Sequence, residues 1–550
     1  MRSGRWTMVT VLCVTGLSVG AAVRAADAPA ATIHTKDNTP ATPKLEDLPL
    51  QESLTSGGIT WTFDQPARVG RFLTGDWYIV GPVTLKTIDP KPLFGDQVKT
   101  PLMEQGDTRE SIYGGQLARN GSVLNLPAVV PPNKITKRIA RAGFDSRLPM
   151  AQYDADQFAH LPISIKPGDS LVSSISEEPL KYGGYPVKAL AVLTCLAEPQ
   201  PPDAFRPSFC QTASSKIYLA RNLRRDLLLK LPRPASAAGI APQTYASWFG
   251  GLWIDTVGFG RAMPRQPFQF NGAGIAGLGG GASLLLLLDY PPAEKEPLLV
   301  NMVQVGIDLY GLVRGGGGWP AEGICGSGRK WLIVFAGLML DDPQMAAVHK
   351  TCPAAEFQED EQTAFLPMEH EGRKFDKTHQ GAKVFWTGHY GIRHGQFLPN
   401  KWASGWGPTD LYPPSEWPSP WPRAESDRRS SSSPQWVGQA LAARFMHAEK
   451  VWAGDAFFAY VDRWMTEDDT AAIEEIKKNW DDQLAAKAFA GDELARQQAA
   501  RAVWKPVRQG TIFGPDKLPD VIKELWTAYR DHLPPAPDGI VTPKSNETWK

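Results

Sequence analysis

Cysteine is scarce in this chain: there are five among 550 residues, and one of those, Cys13, lies near the start. Neither a CxxC nor an HxxxH spacing occurs, so the paired-ligand patterns of a structural zinc site are missing. An excess of one charge is missing too, because 58 Lys and Arg balance 58 Asp and Glu. Without a basic surplus, general nucleic-acid binding has no electrostatic footing. No apolar run beyond the N-terminus reaches the roughly 18–20 unbroken residues of a membrane span. The most apolar patch, Ser283 to Leu288, stops at Asp289. Beyond the N-terminal apolar run, GxSxG and P-loop signatures are absent as well.

What is present begins with a processing segment. Arg2 and Arg5 precede an apolar run from Met8 to Val23, and Val23-Arg24-Ala25 is an acceptable small-x-small cleavage site. Residues 1–25 therefore read as a signal peptide, and the mature chain as an exported, soluble, slightly acidic protein of the periplasm or extracellular space. Export permits disulfides. Cys195, Cys210, Cys325 and Cys352 form an even set with three pairings. The sequence-local one, Cys195 with Cys210 and Cys325 with Cys352, is the pairing expected.

Residues 26–55, rich in Ala, Pro, Thr and Asp, read as a flexible linker. From 56 to 235 short runs such as ITWTF, DWYIVGPVTL and KALAVLTCLA alternate with Gly, Pro, Asn and Asp, which predicts an antiparallel β-sandwich. Pro162 and Pro167 suit strand edges. From 236 to 532 the texture turns helical, and 533–550 reads as a tail. EKEPLLVNMVQVGIDLYGLV carries a helical stripe, and RKWLIVFAGLML is apolar nearly all round, as a buried helix is. PQWVGQALAARFMHAEKVW and DAFFAYVDRWM predict two more, with Asp455 as an N-cap. Long Trp- and Pro-rich loops fill roughly 353 to 435. The fold class expected is multidomain α+β, a β-sandwich followed by an α/α-toroid-like helical domain.

Candidate chemistry gathers in two loops. RGGGGWPAEGICGSGRK, between two apolar helices, offers Trp319, Glu322, Arg329 and Lys330. An anionic group there would meet both cations and a helix N-terminus. HYGIRHG supplies His389, Tyr390, Arg393 and His394 within a few residues. A Tyr and a His beside an Arg can remove a proton α to a carboxylate while the cation stabilises the resulting charge. Eight of the 19 tryptophans fall between Trp386 and Trp464. Trp402 and Trp406, in loop context, offer indole faces on which sugar C–H faces stack. Glu322 with Asp308 or Asp255 could instead form the carboxylate pair of a glycoside hydrolase. Gly272-Ala-Gly274-Ile-Ala-Gly277 matches GxGxxG, but no βαβ texture surrounds it, so close helix packing explains the small residues better than dinucleotide binding.

The stretches Glu296 to Leu340 and Pro434 to Met465, especially GRKWLIVFAGLML and WVGQALAARFMHAEKVWAGDAFFAYVDRWM, resemble the α/α-toroid part of exported bacterial polysaccharide lyases of the heparinase and alginate-lyase type. Those lyases combine a Tyr with His or Asn and an Arg around a uronate, and the resemblance implies that Tyr390, His389 and Arg393 fill these roles. It implies β-elimination on an acidic polysaccharide or oligosaccharide, with no cofactor. Trp319, Glu322, Arg329, Lys330, His394, Trp402 and Trp406 are the expected substrate-binding residues. A glycoside hydrolase on the same scaffold and a non-catalytic glycan-binding or envelope protein are the alternatives.

Overall fold

Alternation with a period of two organises the N-terminal strands, and it sends their side chains into two different cores. The structure, a computed structural model, describes residues 32–98, 116–126, 142–148, 153–178, 186–210, 216–254, 272–393, 395–397, 402–491, 506–513 and 517–535. Residues 1–25, read as a signal peptide, Asp255, His394 and most of the stretch read as a C-terminal tail lie outside these residues.

The strands are β1 (Leu50–Ser56), β2 (Ile59–Arg71), β3 (Trp77–Val80), β4 (Val83–Asp89), β5 (Leu93–Phe94), β6 (Ala118–Arg119), β7 (Ser122–Leu124), β8 (Ile163–Ile165), β9 (Ser170–Ser176) and β10 (Val187–Leu196). Eight of them form one curled sheet in the order β7-β9-β10-β3-β2-β4-β8, with β1 also on β2. Every pairing in it is antiparallel except that of β10 with β3. β1 begins at Leu50, inside the stretch read as linker. The 13-residue β2 turns the sheet: pairing with β1 slips between Gln51 and Ser53, opposite the segment holding Pro66. A proline cannot donate to a ladder, so it sits where the ladder is interrupted. Pro162 and Pro167 bracket β8, as edge prolines do.

On β9 and β10, Leu171, Ala191, Leu193 and Cys195 join Trp61, Phe63, Ile79 and Ile165 in a core enclosed by the curl. Val172 and Val192, one residue over, point into a second and larger core built with the helices. A buried polar seam crosses the sheet, where Trp61 Nε1 donates to Ser173 Oγ at 2.9 Å and Ser122 Oγ lies 2.7 Å from the same oxygen.

The helices are α1 (Pro242–Phe249), α2 (Gly272–Leu287), α3 (Pro292–Arg314), α4 (Arg329–Met339), α5 (Pro343–Ala346), α6 (Val348–Thr351), α7 (Gln358–Glu361), α8 (Arg423–Asp427), α9 (Ser433–Phe445), α10 (Glu449–Trp452), α11 (Asp455–Thr466), α12 (Thr470–Phe489) and α13 (Leu518–Tyr529). α3 starts at Pro292, a residue suited to the first helical position, and so encloses Pro297. Asp455 is the first helical residue of α11 rather than its cap, which is Gly454. The GxGxxG stretch opens α2, a buried helix packed on α9. A Cβ on Gly280 would lie 2.2 Å from the Gln439 nitrogen, so glycine is what permits the contact. No helix of the described residues is long and apolar enough to cross a membrane.

The Trp- and Pro-rich region is not purely loop. It carries antiparallel two-stranded ribbons formed by β11 (Thr363–Phe365) with β14 (Val384–Trp386), β12 (Met368–His370) with β13 (Arg373–Phe375), and β15 (Ile392–Arg393) with β16 (Gln396–Phe397). The expected disulfides do not form: Cys195, Cys210, Cys325 and Cys352 are all free. Cys195 lies inside the curled sheet and Cys210 in the helical core, so the two belong to separate packing units. Cys352 neighbours Tyr310 and Arg314, whereas Cys325 lies near Glu322 and Asp427.

Candidate active site

The glycine loop before α4 meets an anion, and the anion is the protein's own. Gly328, in the left-handed region at φ 95°, caps α4. Its N–H donates to the Glu359 carboxyl at 2.5 Å, and Gly326 N–H donates to Gln358 Oε1 at 2.7 Å. Lys330 Nζ pairs with Asp360 at 2.6 Å and is fully buried. Arg329, also fully buried, donates to the carbonyls of Cys325 and Ser327, both at 2.7 Å. Thus the short acidic helix α7 occupies the place expected for a substrate carboxylate, as the helix-terminus argument requires of any buried N-terminus. Trp319 is buried against Phe357, with the Arg329 guanidinium 5.8 Å from its ring. Arg329, Lys330 and Trp319 are therefore framework, not the sugar-facing residues expected of them.

The other end of the same loop faces His389. Gly323, at φ 62°, donates its N–H to the His389 carbonyl at 2.8 Å. A Cβ there would stand 2.4 Å from His389 Cε1 and 3.0 Å from Asp427 Oδ2, so the imidazole lies directly on glycine backbone. His389 Nδ1 is hydrogen-bonded to Asp427 Oδ2, at the end of α8. This contact fixes the tautomer: an ionised Asp427 accepts from Nδ1–H and leaves Nε2 with its lone pair. Nε2 has no partner among the described residues, and the side chain is 11% exposed. One face of the ring stacks on Trp406, with centroids 5.2 Å apart, and Tyr390 meets it edge-on at 4.6 Å. The Tyr390 phenol is pushed up to about 12, first by burial and then by Glu322 and Asp427, with Arg393 opposing.

Arg393, on β15, donates to the Ala321 carbonyl at 2.8 Å and pairs with Glu361 at 3.3 Å. Glu361 sits at the end of α7, and burial pushes its carboxyl up to about 7 despite Arg393 and the Ala321 N–H. Arg423, more than half exposed, lies one helical turn before Asp427 and 3.4 Å from its second oxygen. Tyr390, Glu322 and Trp406 are all partly exposed. A void with room for about one water molecule borders Tyr390 and Trp406 and reaches His370. Trp402 instead stacks on Tyr412 at 4.2 Å.

Glu322 and Asp308 are not assembled as a hydrolase pair, and Asp255, the other partner considered, lies outside the described residues. Asp308 is buried on α3, where both its oxygens take the Arg206 guanidinium, at 3.0 Å and 2.5 Å. Glu322 stands with Tyr390 and Asp427 instead.

Beneath the dyad lies a buried ion network. Glu425, on α8, takes Arg428 at 2.9 Å and also Arg429, which in turn reaches Asp469. Asp410 holds Arg463 at 2.6 Å and accepts from the Trp386 N–H at 3.0 Å. The chain leaves Asp427 through a π-helical turn, Arg428–Ser432, a local widening common at functional positions. Asp427, Glu361, Arg423 and Gly323 were all missed by sequence reasoning. Asp427 lies 38 positions from His389, and nothing in ESDRRSSS announces a histidine partner. Comparison with protein-family models, curated proteins and solved structures finds no match for this chain.

Proposed function

We propose that the chain is an exported carbohydrate-active protein, acting in the periplasm or outside the cell, that cleaves an acidic, uronate-containing glycan by β-elimination. The observation that carries this reading is the His389–Asp427 dyad, whose Nε2 has no partner among the described residues and lies beside Tyr390. In the reaction, His389 Nε2 takes the proton from the carbon α to the uronate carboxylate. Electrons move into a new carbon–carbon double bond as the glycosidic C–O bond on the adjacent carbon breaks. Tyr390, kept protonated by its raised pKa, donates to the departing oxygen. Arg423 and Arg393 offer positive charge to the carboxylate as negative charge develops. The exposed part of Trp406 offers a stacking face for a neighbouring sugar. Elimination consumes no water and calls on no cofactor.

The fold proposed to carry this activity is a sandwich-like β unit beside a toroid-like helical unit. It is supported by the cores on both faces of β9 and β10 and by the packing of α2 on α9 and of α3 on α4. Incubation of the mature protein with a panel of uronate-containing polysaccharides, followed by absorbance of the unsaturated product, tests the activity. An absorbance rise supports elimination; new reducing ends without it point to hydrolysis, and neither signal leaves a glycan-binding protein.

A further inference from the structure

One enclosed space lined by described residues shares no lining residue with the His389 cluster. It is a cavity of about 340 Å³ between the curled sheet and helices α1 and α3, within the size range of small-molecule sites. Trp248, Phe249 and Trp253 supply an aromatic wall, in which Phe249 and Trp253 stack at 5.1 Å. Among the described residues, the one charged side chain lining it is Asp76, on the β2–β3 turn.

The charge around Asp76 does not balance. Arg206 is buried and serves two carboxylates: its two terminal nitrogens go to Asp308, and its Nε to Asp76 Oδ2 at 3.0 Å. Burial pushes the Asp308 carboxyl up to about 6, so above that pH two carboxylates share one guanidinium and leave a net negative charge, and the partly exposed member is the one lining the cavity. Thr74 Oγ1 also donates to Oδ2, at 2.9 Å, so Oδ1 is left without a partner among the described residues. Asn301, from α3, commits its Nδ2 to the Ala246 carbonyl at 2.9 Å and keeps Oδ1 as a second acceptor with none. Arg71 reaches the Gly75 carbonyl at the rim, but it is stacked on Trp77 and exposed, where water and salt screen it. Acceptors, a surplus negative charge and indole faces together select a donor-rich cation, because ammonium groups are attracted to aromatic faces as well as to carboxylates.

We propose that this cavity is a second binding site, for a small polyhydroxylated ligand bearing a protonated amine, such as an amino sugar. The site does not depend on the elimination chemistry, and its test reads binding alone. Calorimetric titration of the mature protein with glucosamine, glucose and glucuronate, at a pH where the amine is charged, ranks the three on the native chain. Saturable one-to-one binding of glucosamine, with Kd of about 1 mM or tighter and at least about tenfold tighter than glucose, is the expected result. Asp76→Asn and Trp248→Ala each weaken it by about tenfold or more, with thermal melting run alongside to identify a variant that has unfolded. No saturable glucosamine binding, or equal binding of glucose, overturns the proposal. Undiminished binding in a folded Trp248→Ala variant also overturns it.

Discussion

Asp427 holds the Nδ1 of His389 across 38 positions of sequence, from the last residue of a five-residue helix. Glu425, two residues earlier, anchors that helix to Arg428 and Arg429 in the buried network below. The carboxylate that sets the imidazole tautomer is therefore fixed by ion pairs that no substrate touches. Asp427→Asn keeps the shape but offers Nδ1 the wrong partner. It is expected to lower kcat by about 100-fold or more, with a much smaller change in KM. Product absorbance read against substrate concentration measures both.

Tyr390→Phe removes a proton donor rather than a base, because the phenol stays protonated through the neutral range. A loss of about 10- to 100-fold is expected on natural glycans. On a synthetic substrate with a low-pKa leaving group the loss should shrink severalfold. Equal losses on the two substrates assign Tyr390 to positioning instead.

Gly323→Ala places a methyl against the imidazole at a backbone conformation that L-residues avoid. The strain costs about 1–2 kcal/mol. Activity is expected to fall by more than that cost in stability accounts for, since His389 must move. Chemical denaturation and turnover on the same preparation separate the two effects.

Lys330→Met tests whether the buried cation is framework. Asp360 is a third exposed and can rehydrate when its partner is removed. A destabilisation of about 2 kcal/mol is expected, below the ~3–5 kcal/mol of a wholly buried pair. KM for an anionic glycan should stay unchanged; a severalfold rise in KM puts Lys330 in contact with substrate after all.

Glu361 gives stability a pH dependence of defined sign. Its carboxyl is pushed from 4.5 to about 7 in the folded chain, so between those values the native state binds a proton that the unfolded state has lost. Stability from this group is full below about pH 4.5 and is lost as pH rises through 7, by up to about 3 kcal/mol. Relative to Glu361→Gln, the native protein should melt progressively earlier from pH 5 to pH 8. Parallel melting curves for the two proteins contradict the burial argument.

Local patterning was legible where packing is local. The all-round apolarity of RKWLIVFAGLML and the short, turn-bounded run KALAVLTCLA predict α4 and β10, and HYGIRHG discloses the imidazole and the phenol of the candidate site. What escaped is long-range. That β10 runs parallel to β3, closing one curled sheet, depends on strand order, which periodicity does not encode. Arg329 and Lys330 look open to a ligand in the sequence because Glu359, which takes the Gly328 N–H, and Asp360, which pairs with Lys330, stand 31 and 30 positions further along. Asp427 was invisible for the same reason. The cysteines misled because an even count says nothing about which core each one enters.

The most direct test of the central claim is the absorbance of unsaturated uronate product, followed for the mature protein and for His389→Ala on the glycan that responds best. A steady rise with the native protein, reduced to background in a His389→Ala variant that melts normally, is the result predicted. No rise on any uronate polymer, or undiminished activity in His389→Ala, would contradict the assignment of the His389–Asp427 dyad as the base of an elimination.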